Sequence, residues 1–202
     1  MHHEAVGGDG RRTELKCWDP WFREVGRTRN AFAKVMGFDP MINETASMGV
    51  LASAATKAGM LALTEYVCRK RSPQDGRRFR NGRADLWIYH AGKDRSWAFE
   101  AKQVQCTPRM RLKTLRAKLD EARRDAADIP HWEAKHRFGM LVMTLPPGDL
   151  SEATHKAIDS LVDGSFAAFR IDGGEVASLV VIDRALRPRK AAAKAHTEGV
   201  GA

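Results

Sequence analysis

Two carboxylates and a lysine stand in apolar surroundings in this chain. Asp85 lies in Arg83-Ala84-Asp85-Leu86-Trp87-Ile88-Tyr89, and Glu100 and Lys102 lie in Ser96-Trp97-Ala98-Phe99-Glu100-Ala101-Lys102. Both runs are rich in aromatic and aliphatic residues, which suit a pleated, partly buried surface and predict two strands. Between them, Ala91-Gly92-Lys93-Asp94 reads as a hairpin loop, with Gly92 at the first central position of a two-residue turn. A four-residue loop with the same centre gives the same pairing: Ile88 faces Trp97 and Asp85 faces Glu100. Opposed residues share a face with Cβ atoms about 4.5–5.5 Å apart, and opposed like charges destabilise a sheet. A bound Mg²⁺ would resolve that conflict, because it takes oxygen ligands from one or two carboxylates plus water and substrate phosphate. Side chains two apart on a strand share a face, so Lys102 would stand beside such an ion, where it could stabilise an attacking hydroxide or phosphate charge. A surface hairpin with solvated charges is the bland alternative. It sits poorly with the apolar residues that flank each charge.

These residues, Asp85 and Phe99-Glu100-Ala101-Lys102, resemble the motif of the PD-(D/E)XK nuclease superfamily, whose fold is restriction-endonuclease-like. The resemblance implies an α/β fold with an αβββαβ core, a mixed central sheet and flanking helices. It implies Asp85 and Glu100 as metal ligands, the Ala101 carbonyl as a third, and Lys102 as the residue that positions or activates water. Mg²⁺ would be the cofactor, with Mn²⁺ able to substitute. Ala84, not Pro, precedes Asp85, and no Gln-x-x-x-Tyr follows Lys102, which sets the chain apart from the exonuclease branch that carries it.

The elements that must position this hairpin are legible to different degrees. Residues 1–13 read as a loose terminus, 14–183 as a single domain, and 184–202 as a basic tail without an apolar face. Asp19-Pro20 reads as the start of an extra N-terminal helix running to about Met36. Ser47 reads as the cap of a second helix reaching about Lys70, with Leu51, Ala54, Ala58, Leu61, Glu65 and Cys68 on one stripe. Glu65 is then a core-facing carboxylate. Either it completes the metal site, as an acidic residue on this helix does in the superfamily, or it lies at a helix end and reaches solvent or an arginine. Thr107-Pro108 predicts a third helix, Phe138–Leu145 a buried central strand, Ser151 the cap of a fourth helix, and Phe166–Ile171 and Val176–Ile182 two more strands.

Positive charge dominates: Lys and Arg number 34 against 25 Asp and Glu, a formal net charge of +9. That balance suits an anionic partner such as nucleic acid. The run from 69 to 83 reads as a basic loop with a strand near 77–80. Its Arg77, Arg78, Arg80 and Arg83, with Arg109, Lys113 and Arg116 of the third helix, are the candidate phosphate contacts. Trp87, Trp97 and Trp132 are expected in the core. The three scattered cysteines argue against a disulfide framework and for a reducing cytoplasm. No apolar stretch is long enough to span a bilayer, and no P-loop, zinc-type spacing or Gly-x-Ser-x-Gly elbow is present. The expected function is Mg²⁺-dependent hydrolysis of phosphodiester bonds, in DNA before RNA, with a homodimer supplying two sites for two strands. The alternatives are a non-catalytic nucleic-acid-binding module that keeps the fold, and an interaction protein whose hairpin is a structural accident.

Overall fold

The structure is a computed structural model that describes residues 3–5, 12–72, 78–146, 148, 150–172 and 176–186. Arg77 and the tail from 187 onward therefore lie outside the described residues. The elements are β1 (His3–Ala5), α1 (Arg12–Met36), α2 (Glu44–Lys57), β2 (Leu61–Arg71), β3 (Phe79–His90), β4 (Arg95–Gln105), α3 (Leu112–Ala127), β5 (His136–Leu145), α4 (Glu152–Asp163), β6 (Ala167–Ile171) and β7 (Ala177–Arg184). The strands form one mixed sheet in the order β1-β6-β7-β5-β4-β3-β2. Among the described strands, β4 and β5 alone pair in parallel, and α3 makes their crossover. The other neighbours are antiparallel.

Helices cover both faces, so the central strands are apolar on both sides. On one face α1 and α2 bury Trp18, Trp21, Phe22 and Leu51 against Trp97, Phe99, Ala101, Phe138 and Phe169. Trp18 meets Trp97, Phe99, Phe138 and Phe166 with ring centroids 5.1–6.2 Å apart, spacings at which aromatic pairs attract beyond their burial. On the other face α3 and α4 place Leu115, Leu119, Ile158 and Leu161 over Leu141, Met143, Val181 and Leu179. Arg29, 1 % exposed, ties α1 to the far strands. It pairs with Asp39 and donates to the carbonyls of Ile171 at 2.9 Å and Val176 at 2.6 Å.

Five expectations change. Residues 3–5, assigned to a loose terminus, pair with β6. Helix α1 starts at Arg12 and carries Pro20 inside it; burial of Cys17 and Trp18 extends the helix past a residue that suits a first position. The helix expected from Ser47 to Lys70 starts earlier, capped by Asn43, whose side chain accepts from Ala46 N at 2.9 Å. It also ends earlier, at Lys57, where Gly59 takes φ +82°, the left-handed conformation that stops helices. The third helix begins at Leu112, after a turn through Pro108 and Arg109. Trp97 is fully buried as expected, but Trp132 is 56 % exposed and packs edge-on against Phe79.

Candidate active site

The hairpin pairs in the expected register. Leu86 faces Phe99, Ile88 faces Trp97 and His90 faces Arg95. The turn differs: the loop has four residues, and Asp94, not Gly92, takes the left-handed conformation at φ 45°. Asp can occupy that region because its short polar side chain bonds locally. Here Asp94 accepts from Lys135 Nζ at 2.6 Å and from Tyr89 Oη at 3.2 Å.

The ladder between β3 and β4 stops at Leu86–Phe99, just before Asp85 and Glu100. The cause lies one strand further out. Glu65, with φ 51°, sits in β2 opposite Asp85, between the pairs Thr64–Leu86 and Tyr66–Ala84. There the strands change face. Ala62, Leu86 and Ile88 pack toward α1 and α2, whereas Tyr66, Cys68 and Ala84 pack on the other side with Trp87, Ala98 and Ile129. The break leaves the next β4 amides without strand partners, and carboxylates take them. Ala101 N donates to Asp85 Oδ2 at 2.7 Å, and Gln103 N donates to Glu44. Gln103 also fixes the entry of α2: its side chain bonds Ser47 Oγ and the Met41 carbonyl, each at 2.9 Å.

Glu100 is 4 % exposed. Its Oε1 lies 2.7 Å from Lys70 Nζ, which donates to it, and the carboxylate keeps further lone pairs for other partners. Burial, then the charge of Asp85, push its carboxyl up to about 8 against the opposing pull of Lys70. Burial also raises Asp85, against the Ala101 amide and Lys70 and Lys102, and burial followed by Asp85 raises Glu44. Lys102 pairs with Asp125 of α3 at 3.1 Å. Burial alone would lower its ammonium, but Asp125, Glu44 and Asp85 outweigh that and hold it above its usual value, hence charged. Among the described residues, the carboxylates of Asp85, Glu100, Glu44 and Asp125 thus share two ammonium groups, Lys70 and Lys102. Of these carboxylates Glu100 is buried and the other three are half-buried, and such a clustering of like charges is costly unless a cation or protons neutralise it.

No protein family, characterised protein or solved structure matches this chain.

The geometry therefore stands by itself. Among the described residues, no three His, Cys, Asp or Glu side chains form a ready metal shell. A Mg²⁺ site needs less, since the ion keeps several waters and uses one or two carboxylates. The all-oxygen donor set, the spare acceptor capacity of Glu100 and the excess negative charge fit such an ion at Asp85 and Glu100, with the Ala101 carbonyl adjacent in sequence.

Glu65 adds to the charge that raises Asp85 but stands apart from the pair. It lies on a strand rather than a helix, about half exposed, and pairs with Arg83 at 3.2 Å. The helix acid next to Asp85 and Lys102 is Glu44, in the first turn of α2. Its signal was Asn43-Glu44, a capping residue followed by an acid, upstream of the Ser47 taken as the cap. Lys70, expected at a helix end, is the other residue the sequence did not assign to the site. Among the basic candidates, Arg78, Arg80 and Arg83 are exposed on or just before β3, on the arm that carries Asp85. Arg109, Lys113 and Arg116 are exposed at the N-terminal end of α3, whereas Asp125, near its C-terminal end, reaches Lys102. Arg116 lies two turns before Arg123, on the flank that pairs with Asp120 and Asp183. That flank turns away from Lys102.

Proposed function

We propose that this chain is a Mg²⁺-dependent nuclease of restriction-endonuclease-like architecture that hydrolyses phosphodiester bonds, with DNA as the expected substrate. The observation that carries the reading is the pair of half-buried Asp85 and buried Glu100 at the point where the β3–β4 ladder opens, with the charged Lys102 one pleat along. The run α2-β2-β3-β4-α3-β5 follows the order of the core that the motif implies, which supports the same reading. Asp85 and Glu100 would hold the ion. When bound, it would polarise a phosphoryl oxygen and make water more acidic. The residues do the rest. Lys102, kept protonated by Asp125, acts as a fixed positive charge beside the reacting phosphate rather than as a base. Asp85 is oriented by the Ala101 amide, and Glu44 by the Gln103 amide, so neither carboxylate must reorganise when substrate arrives. Arg78, Arg80 and Arg83 would meet the backbone along the same arm, and the outcome should be binding that weakens steeply with salt.

Supporting features are coarser. No helix among the described residues is long and apolar enough to cross a membrane, and all three cysteines are free and buried, as a reducing compartment would keep them. Cutting both strands of a duplex would take two copies. One observation favours a second reading, a nucleic-acid-binding module without turnover: Lys70 already supplies Glu100 with a cation. The test is incubation of labelled single- and double-stranded DNA and RNA with Mg²⁺, Mn²⁺ or EDTA, for the wild type beside Lys102→Ala. Divalent-dependent cleavage lost in the variant supports the nuclease. Binding without cleavage under every condition supports the module.

A further inference from the structure

Lys70 is the group in this site that the proposed roles leave unused. It comes from β2, near the open edge of the sheet, yet its side chain is only 12 % exposed and its ammonium ends 2.7 Å from Glu100. The path it takes is built. A Cβ on Gly82 would lie 2.8 Å from Lys70 Cδ and 2.9 Å from Cγ, so the stem crosses the sheet over a β3 position whose missing side chain leaves room for it. The backbone around it is fixed as well: Arg71 N donates to the Asp128 carbonyl at 2.8 Å, and Lys70 pairs in register with Arg80.

We propose that Lys70 is an internal counter-ion that a divalent cation displaces from Glu100, and that the released ammonium then pairs with the substrate phosphodiester. The inference rests on the reading of Asp85 and Glu100 as a cation site. Its physical basis is exclusion. One carboxylate oxygen cannot hold an ammonium at contact and a divalent ion at coordination distance without the two positive charges repelling each other strongly in a buried setting. Lysine suits this exchange because its charge is compact, sits on a flexible four-carbon stem and binds phosphate as a point charge. Displacement leaves it near exposed Arg80, its register partner, where a nucleic-acid backbone would supply the anion that Glu100 no longer does. Lys70 is therefore a positioning residue in the free protein and a substrate contact in the loaded one.

The test uses the intact wild-type chain with lysine carbon-13 labelled at Cε, and NMR signals assigned by Lys70→Arg. Mg²⁺ is titrated while the Lys70 Cε signal and the amide signals of Ala101 and Gln103 are followed. The expected result is that all three move together, and that a phosphorothioate dinucleotide added to the Mg²⁺ form shifts Lys70 a second time. If the amides move and Lys70 does not, the exchange is wrong while the cation site stands. If no signal moves, both are wrong. A Lys70 signal that moves with Mg²⁺ and then ignores the dinucleotide overturns its assignment to the substrate.

Discussion

Replacing Glu100 by Gln tests the electrostatics of the site through stability alone. In the metal-free fold, burial and Asp85 push the Glu100 carboxyl up to about 8, whereas an unfolded Glu titrates near 4.3. The folded state thus binds a proton more tightly than the unfolded one. That preference stabilises the fold fully below the unfolded value and is lost as pH rises through the folded value. Linkage puts the loss between about pH 5 and about pH 7.5 at roughly 3 kcal/mol. Gln cannot titrate, so Glu100→Gln removes this slope. The variant also strands Lys70 without its partner, but that cost is common to both pH values and cancels in the difference. Urea unfolding of both proteins in EDTA at the two pH values is the assay. Relative to wild type, the variant should gain about 3 kcal/mol between the lower and the higher pH, equivalent to roughly 6–12 °C in melting temperature for a chain of this size. Added Mg²⁺ should flatten the wild-type slope by holding Glu100 ionised. Parallel curves, or a wild type that gains on the variant as pH rises, would refute the reasoning.

Three other perturbations probe the frame around the site. Gly139→Ala should be the harshest: a Cβ there lies 2.4 Å from the backbone nitrogen of Arg123, so α3 must lift off β5 at a cost of about 3 kcal/mol or more, read by chemical denaturation. Arg29→Ala strips Asp39 of its charged partner and two carbonyls of their donor and should cost about 3–5 kcal/mol in the same assay. Cys106, whose thiol burial pushes up to about 11, should resist alkylation at mildly alkaline pH until denaturant is added, and prompt labelling of the native protein would contradict its placement under α3.

The hairpin was the most legible part of the chain because period-2 patterning and a short loop fix register by arithmetic, whatever the turn type. The register holds as far as Leu86–Phe99, so Asp85 and Glu100 follow as the next residues of their strands, where the ladder opens. The helix boundary after Lys57 was hidden because Ala54, Ala58 and Leu61 continue a helical stripe across Gly59. The β-formers Thr64, Tyr66 and Val67 carried the opposing signal. That single boundary misplaced Glu65 and hid Lys70, while the reading of Ser47 as the cap masked Glu44. A left-handed Glu65 inside a strand has no sequence signature of its own. Nor does the path of Lys70 over Gly82, since both are properties of how two paired strands change face. The flank that Arg116 shows was misread for a related reason: helical spacing groups residues on one side but does not say which side meets the sheet edge.

The central claim is that Asp85 and Glu100 together hold a divalent cation. Anomalous diffraction from crystals grown with Mn²⁺ tests it most directly. The account predicts one strong peak bound by both carboxylates, with Lys70 withdrawn from Glu100. Crystals in Mn²⁺ that show no peak at this pair, with Lys70 still 2.7 Å from Glu100, would contradict it.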